Sequence, residues 1–264
     1  MTHFVIIMLL FFSVLICFIW AIYFPVVNHL LFHFLLTLPT TIRDFIYFQS
    51  NKYFRNNELN INPNARHIIV LVHGRNSCPV QFVDIQEKLL TTIDSQTTLF
   101  PVWMKNGSSS IQTDGQSLYD QLSDYFGRQT HRDLTIIGIS KGGVTACYAS
   151  TVSDPIFSVK KIITLSSPLR GTLLAEWSFC SVTRQELSYQ SDFVVDLEKE
   201  VKNKNVKIYP IVPQWDHLII PIEASFYNHI PSTMIFKYKG WAGHIGIQYD
   251  PVVINQINRW IHEG

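Results

Sequence analysis

The chain has 264 residues, 47% of them hydrophobic, and its 21 Lys and Arg nearly balance its 20 Asp and Glu for a formal charge of +1. With no basic block and no RNA-binding motif it offers no hold on a phosphate backbone, which excludes a nucleic-acid partner. The four cysteines, Cys17, Cys78, Cys147 and Cys180, show no C-x-x-C or Cys/His ligand spacing, so neither a disulfide framework nor a metal site is indicated, and only a Cys78–Cys180 pairing stays open.

The first predicted element is apolar. No charged residue occurs from Phe4 to Phe24, and about 20 such residues suffice to cross a bilayer. A cleaved signal peptide would need a cationic start and small residues at a cleavage site, whereas this stretch has His3 and then bulky Phe, Ile and Trp. The expectation is therefore an uncleaved, single-pass N-terminal transmembrane helix within residues 1–40. Beyond Pro25 the apolar character runs on to Leu38, too briefly for a second span, and suits the interface or packing on the domain. Trp20, Tyr23, Tyr47 and Tyr53 suit headgroup depth. Arg43, Lys52 and Arg55 follow the span while no Lys or Arg precedes it, a lean toward a cytoplasmic domain. Residues 41–65, Asn-rich from Gln49 and containing Pro63, read as a linker.

From residue 66 onward, strand and helix patterns alternate. Ile68–Val72 is a strand, Val80–Thr91 a helix, Thr98–Trp103 a strand, Gly115–Phe126 a helix, Leu134–Ile139 a strand, Val144–Ser150 a helix and Lys161–Leu165 a strand. The apolar, β-branched runs fit strands buried on both faces, so the predicted class is α/β with a mostly parallel, doubly wound sheet. Thr172–Asn205 interrupts the alternation. Its first half, Leu173–Phe179, is apolar and aromatic, and Gln185–Val201 has helical spacing at Leu187, Phe193, Val194 and Leu197 that suits an ordinary packing helix as well as a cap. Strands at Ile208–Val212 and Met234–Tyr238 and a helix at Pro251–Trp260 close the domain.

The chemistry sits in the turns. Gly138–Gly142 reads G-x-S-x-G, which puts Ser140 at the apex of a strand-to-helix turn, with Gly138 and Gly142 permitting the sharp backbone. A serine hydroxyl is a weak nucleophile unless a base takes its proton and a third group orients that base. His244, in the loop after Met234–Tyr238, is the candidate base, and Asp216, just beyond Ile208–Val212, is the candidate orienting carboxylate. Asp192, Asp196 and Asp250 look like capping or solvated groups, Asp192 being the next choice for the acid. An oxyanion site would combine the backbone N–H of Lys141 with that of Arg75, which follows the strand and the pair His73-Gly74. His73 is expected to prop that loop by hydrogen bonding, and Arg170 is weighed as a surface cation against a group near the acyl site.

These residues support a resemblance. Residues 66–264 look like the lipase and esterase branch of the α/β-hydrolase superfamily, similar to bacterial triacylglycerol lipases and GPI-inositol deacylase-like hydrolases. The resemblance is carried by the strand running into His73-Gly74, by Gly138–Gly143, by TLSSPLRGT at Thr164–Thr172, and by Asp216 with Pro221 and the pair Gly243-His244. It departs from the family where His or Tyr usually precedes the serine and Met or Leu follows it; here those places hold Ile139 and Lys141. The resemblance implies an α/β-hydrolase fold with a short cap over residues 172–205. It also implies a serine hydrolase of lipid esters with no cofactor and a hydrophobic acyl ester as substrate, which the apolar leader makes membrane-anchored. Acyl transfer, thioester hydrolysis and a catalytically silent binding module on the same fold remain open at this level.

Overall fold

The computed structural model describes residues 61–104, 109–152, 154–178 and 180–263. The expected anchor and all but the last residues of the linker lie outside the described residues. Among those described, no helix is long and apolar enough to cross a membrane.

Six strands form one parallel sheet: β1 (His67–Val72), β2 (Thr97–Val102), β3 (Arg132–Ile139), β4 (Phe157–Leu165), β5 (Lys207–Pro213) and β6 (Phe236–Tyr238), in the order β2-β1-β3-β4-β5-β6. The helices between them are α1 (Val83–Leu90), α2 (Ile111–Phe126), α3 (Lys141–Thr151), α4 (Ser181–Leu187), α5 (Asp192–Lys204) and α6 (Pro251–His262). Successive side chains of a strand point to opposite faces, so each central strand feeds two cores. Ile68, Val70 and Val72 of β1 pack with Leu118 and Leu122 of α2, Val144 of α3 and Val194 and Leu197 of α5. Ile69 and Leu71 meet Ile85 and Leu89 of α1 and Val253, Ile257 and Trp260 of α6 on the other side. Covering both faces is what makes the strands read as unbroken apolar runs.

Two buried cations fasten the ends of this layer. Arg132 opens β3 and donates to the carbonyls of Ala65, Thr130 and Pro63 while lying 5.3 Å from the Phe126 ring centroid, which ties the chain entering the domain to the sheet. Lys161 of β4 donates to the carbonyls of Trp260 and Glu263 at the end of α6, where carbonyls without intrahelical partners attract a cation. At the other end of that helix Asp250 is the N-cap, accepting from Val252 N–H at 2.8 Å. Asp196 pairs with Lys199 on the surface, and Asp192 opens α5 after the N-cap Ser191.

The segment expected to cap the site divides in two. Leu173–Trp177 is a short 3-10 helix followed by α4, and these border the cleft. The second half, α5, is instead a packing helix. Val194, Leu197 and Val201 are buried in the core, and Phe193 stacks on Tyr148 of α3 at 6.5 Å. Its amphipathic pattern, which a sheet-covering helix needs as much as a lid does, is compatible with either role, and the packing decides between them. Cys78 and Cys180 are not joined in a disulfide.

Candidate active site

In a parallel sheet, ligands bind beyond the carboxyl ends of the strands where the strand order reverses. Here the chain passes from β1 outward to β2 and returns to β3 on the other side of β1. The reversal therefore lies between the ends of β1 and β3, and those ends lead into His73–Arg75 and Ser140.

Ser140 joins β3 to α3 with φ 53° and ψ −123°, a conformation rare outside glycine and common where strain serves a site. The tight turn brings α3 against β1. A Cβ on Gly142 would lie 2.1 Å from the Val72 carbonyl oxygen, and one on Gly138 would lie 2.5 Å from Gly142 O, so neither position admits a side chain. Leu165 O accepts from Ser140 N–H at 2.9 Å and fixes the apex.

The three side chains singled out in the sequence meet at this apex. His244 Nε2 lies 2.9 Å from Ser140 Oγ, and its Nδ1 lies 2.9 and 3.0 Å from the two oxygens of Asp216. The Asp216 side chain is completely buried. Its charge is compensated by Nδ1–H of His244 and by the N–H groups of Leu218 and Ile219, which donate to Oδ1 at 2.9 and 3.0 Å; a buried carboxylate is tolerable only with such partners. That arrangement puts the histidine proton on Nδ1 and leaves Nε2 as acceptor for the serine hydroxyl.

On the opposite side of Ser140, His73 is 3% exposed and bridges two segments: Nδ1 donates to Gly74 O at 2.8 Å and Nε2 accepts from Met104 N–H at 3.0 Å. Burial holds its pKa below the ordinary histidine range, so the ring is neutral, as this donor and acceptor pattern requires. Gly74 N–H donates to Gln81 Oε1 at 3.1 Å, which occupies that donor and leaves the next residue, Arg75, facing the cleft. Lys141 turns its side chain away from the cleft. Its ammonium is buried, 2.8 Å from Asp114 Oδ2 and 2.5 Å from Ser109 O.

A cavity of about 440 Å³ opens over Ser140, bordered by Arg75, Lys141 and His244, with walls from Leu174, Ala175, Leu187, Leu218, Ile219 and Ile245. Thr172 joins two of its walls, donating from Oγ1 to Leu218 O at 2.9 Å and accepting from Ile220 N–H at 3.0 Å. Glu186 of α4 accepts from Ile111 N–H at 2.9 Å. Burial raises its carboxyl above the usual range against the opposing pull of that N–H and of Lys141. Arg170 lies elsewhere, donating to Asn228 Oδ1 at 3.1 Å with its Nε 3.9 Å from Glu198. Gln81, Met104, Ser109 and Asp114 went unnoticed in the sequence, because each acts through a partner far along the chain. Among the described residues no group of three or more His, Cys, Asp or Glu side chains could hold a metal ion.

Residues 62–192 match the family model described as Putative serine esterase (DUF676). Solved structures share the architecture. The product of the gene lin2722 from Listeria innocua superposes with a TM-score of 0.59 at 12% identity, over 75% of this chain and 95% of that one. This is an α/β-hydrolase fold. A lipase-esterase related protein from Clostridium acetobutylicum gives a TM-score of 0.51 at 13% identity, covering 76% of this chain and 95% of the other. The Paleococcus ferrophilus monoacylglycerol lipase gives 0.51 at 16%, covering 74% and 91%. No curated protein matches. The family match covers just under half of the chain, and the solved structures share its fold.

Proposed function

We propose that this protein is a membrane-anchored serine hydrolase that cleaves carboxylic esters of lipids through an acyl-enzyme. The observation that carries the reading is the continuous relay Ser140–His244–Asp216 beside an apolar-walled cavity. Ser140 Oγ attacks the acyl carbonyl as His244 Nε2 takes its proton, and the carbonyl electron pair moves onto oxygen, facing the N–H groups of Arg75 and Lys141. Collapse of this intermediate breaks the ester bond and His244 protonates the departing alkoxide. Water, giving a proton to His244, then attacks the acyl-enzyme and releases the carboxylic acid and Ser140. Asp216 holds the imidazole in the Nδ1–H form and stabilises its charged state. Leu174, Leu187, Leu218 and Ile245 suit an acyl chain better than a polar one.

Two features support the membrane. Phe4–Phe24 is free of charge, and apolar side chains are exposed in the segments bordering the cleft or next to them, Trp177 at 82% and Trp241 at 66%. Arg43, Lys52 and Arg55 after the apolar stretch favour a cytoplasmic hydrolase domain.

The test is hydrolysis of p-nitrophenyl esters from acetate to palmitate by detergent-solubilised protein beside Ser140→Ala, with fluorophosphonate labelling of both. Activity rising toward medium or long chains, with hydrolysis and labelling both lost in the variant, is expected. Folded wild type that neither hydrolyses nor labels would make the fold a binding module instead. Carbonate extraction and protease protection test the anchor and its sidedness.

A further inference from the structure

The two backbone donors of the oxyanion site come from turns far apart in sequence, and a third segment touches both. The connection from β2 to α2 gives Met104 N–H to His73 Nε2, whose Nδ1–H is bound to Gly74 O beside Arg75. Five residues beyond Met104, Ser109 offers its carbonyl to Lys141 Nζ at 2.5 Å and its hydroxyl to Asp114 Oδ1. Asp114 holds the Lys141 ammonium at 2.8 Å, both side chains being 6% exposed. A buried ion pair is poor value as general stabilisation, because desolvating two charges costs as much as their attraction returns. It does fix geometry. Lys141 is the first residue of α3 and follows Ser140, whose φ of 53° leaves the peptide between them in a strained turn. Anchoring the far end of the Lys141 side chain restrains rotation of that peptide, and with it the direction of the N–H that faces the developing oxyanion.

We infer that Lys141 and Asp114 are positioning residues: their buried pair, held by Ser109, aims the Lys141 N–H at the reacting carbonyl oxygen. The inference rests on the serine hydrolase reading and concerns only how its oxyanion site is held. It accounts for a lysine where related lipases carry Met or Leu. Neither side chain touches substrate. The ammonium is neutralised by Asp114 and turned from the cleft, so it adds no charge to the acyl site.

The experiment compares full-length wild type, the paired apolar replacement Lys141→Met with Asp114→Leu, and the near-isosteric Asp114→Asn, in detergent. It reads kcat and KM on p-nitrophenyl butyrate, the inhibition constant of an alkyl boronic acid that forms a tetrahedral adduct on serine, and the melting temperature. Paired apolar replacement generally preserves or raises stability. It is expected to lower kcat by about 10- to 100-fold with KM within about twofold, and to weaken the boronic acid by a matching factor. Asp114→Asn, which keeps the Ser109 contact and removes the charge, is expected to lie between the paired variant and wild type. If whichever of these variants folds keeps kcat within about threefold of wild type, or loses rate only through KM, the pair is structural and the inference is overturned. Wild type inert toward ester and fluorophosphonate alike overturns the hydrolase reading itself, and this inference with it; the two failures are told apart in the wild-type lane.

Discussion

At the scale of single residues, the geometry around His244 sets a hierarchy of losses. Asp216 is buried and bonded through both oxygens to one ring nitrogen, with two backbone N–H groups on Oδ1. Asp216→Asn keeps the shape, but the amide can offer an N–H toward Nδ1, which favours the tautomer with its proton on Nε2 and removes the acceptor that Ser140 needs. The expected result is a fall in kcat of about 10³- to 10⁴-fold with little change in KM. Steady-state kinetics on a soluble ester checks this, and a loss smaller than tenfold would show that Asp216 does not set the tautomer. The melting temperature of that variant should fall modestly, because the backbone donors at Leu218 and Ile219 keep an oxygen acceptor if the amide is oriented to suit them.

At the scale of elements, the last helix is held by what neither its own residues nor its pattern supply. Asp250 caps its start and accepts a hydrogen bond from Tyr238 Oη, while Lys161 from the central sheet caps its end. Lys161→Met should pack well in the apolar layer yet leave the carbonyls of Trp260 and Glu263 without their donor, for a loss of about 1–3 kcal/mol in urea unfolding. A variant as stable as wild type would show that water replaces the ammonium there. The strands and helices of this layer were legible because burial on both faces leaves a sequence trace: apolar runs for β1 and β3, helical spacing for α6. The serine turn was legible too, since only glycines survive where α3 touches β1. Lys161, Arg132 and the Lys141–Asp114 pair were not, because a lysine or arginine in a strand or at a helix start reads as solvated until its partner, up to a hundred residues away, is folded against it. The second half of the 172–205 segment stayed open between cap and packing helix for a related reason: α5 carries an apolar stripe, and a stripe does not say which surface it covers.

At the scale of the whole molecule, strand β1 is bracketed by two histidines that burial holds below the ordinary histidine range, His67 at its start and His73 at its end. For His67 desolvation outweighs the opposing pull of Asp133 and Asp94, and Lys161 adds to the lowering. A group whose folded pKa is depressed binds protons more readily when unfolded, so it favours unfolding as pH falls from the unfolded value of about 6.5 toward the folded one. Above about pH 7 both rings are neutral in either state and contribute no slope. Stability should therefore be flat from pH 8 to 7 and decline from about pH 6.5 to 5.5, each unit of depression costing up to about 1.4 kcal/mol. Charging His73 would also break its acceptance from Met104 N–H and so release the loop that leads to Arg75. Activity is then expected to fall on the acid side as that loop loosens. His67→Gln can keep a hydrogen bond to Thr135 Oγ1 and cannot be protonated, so its urea midpoint should fall less between pH 7.5 and 5.5 than that of wild type. Equal slopes for the two proteins would mean that His67 contributes nothing to the acid sensitivity of this sheet.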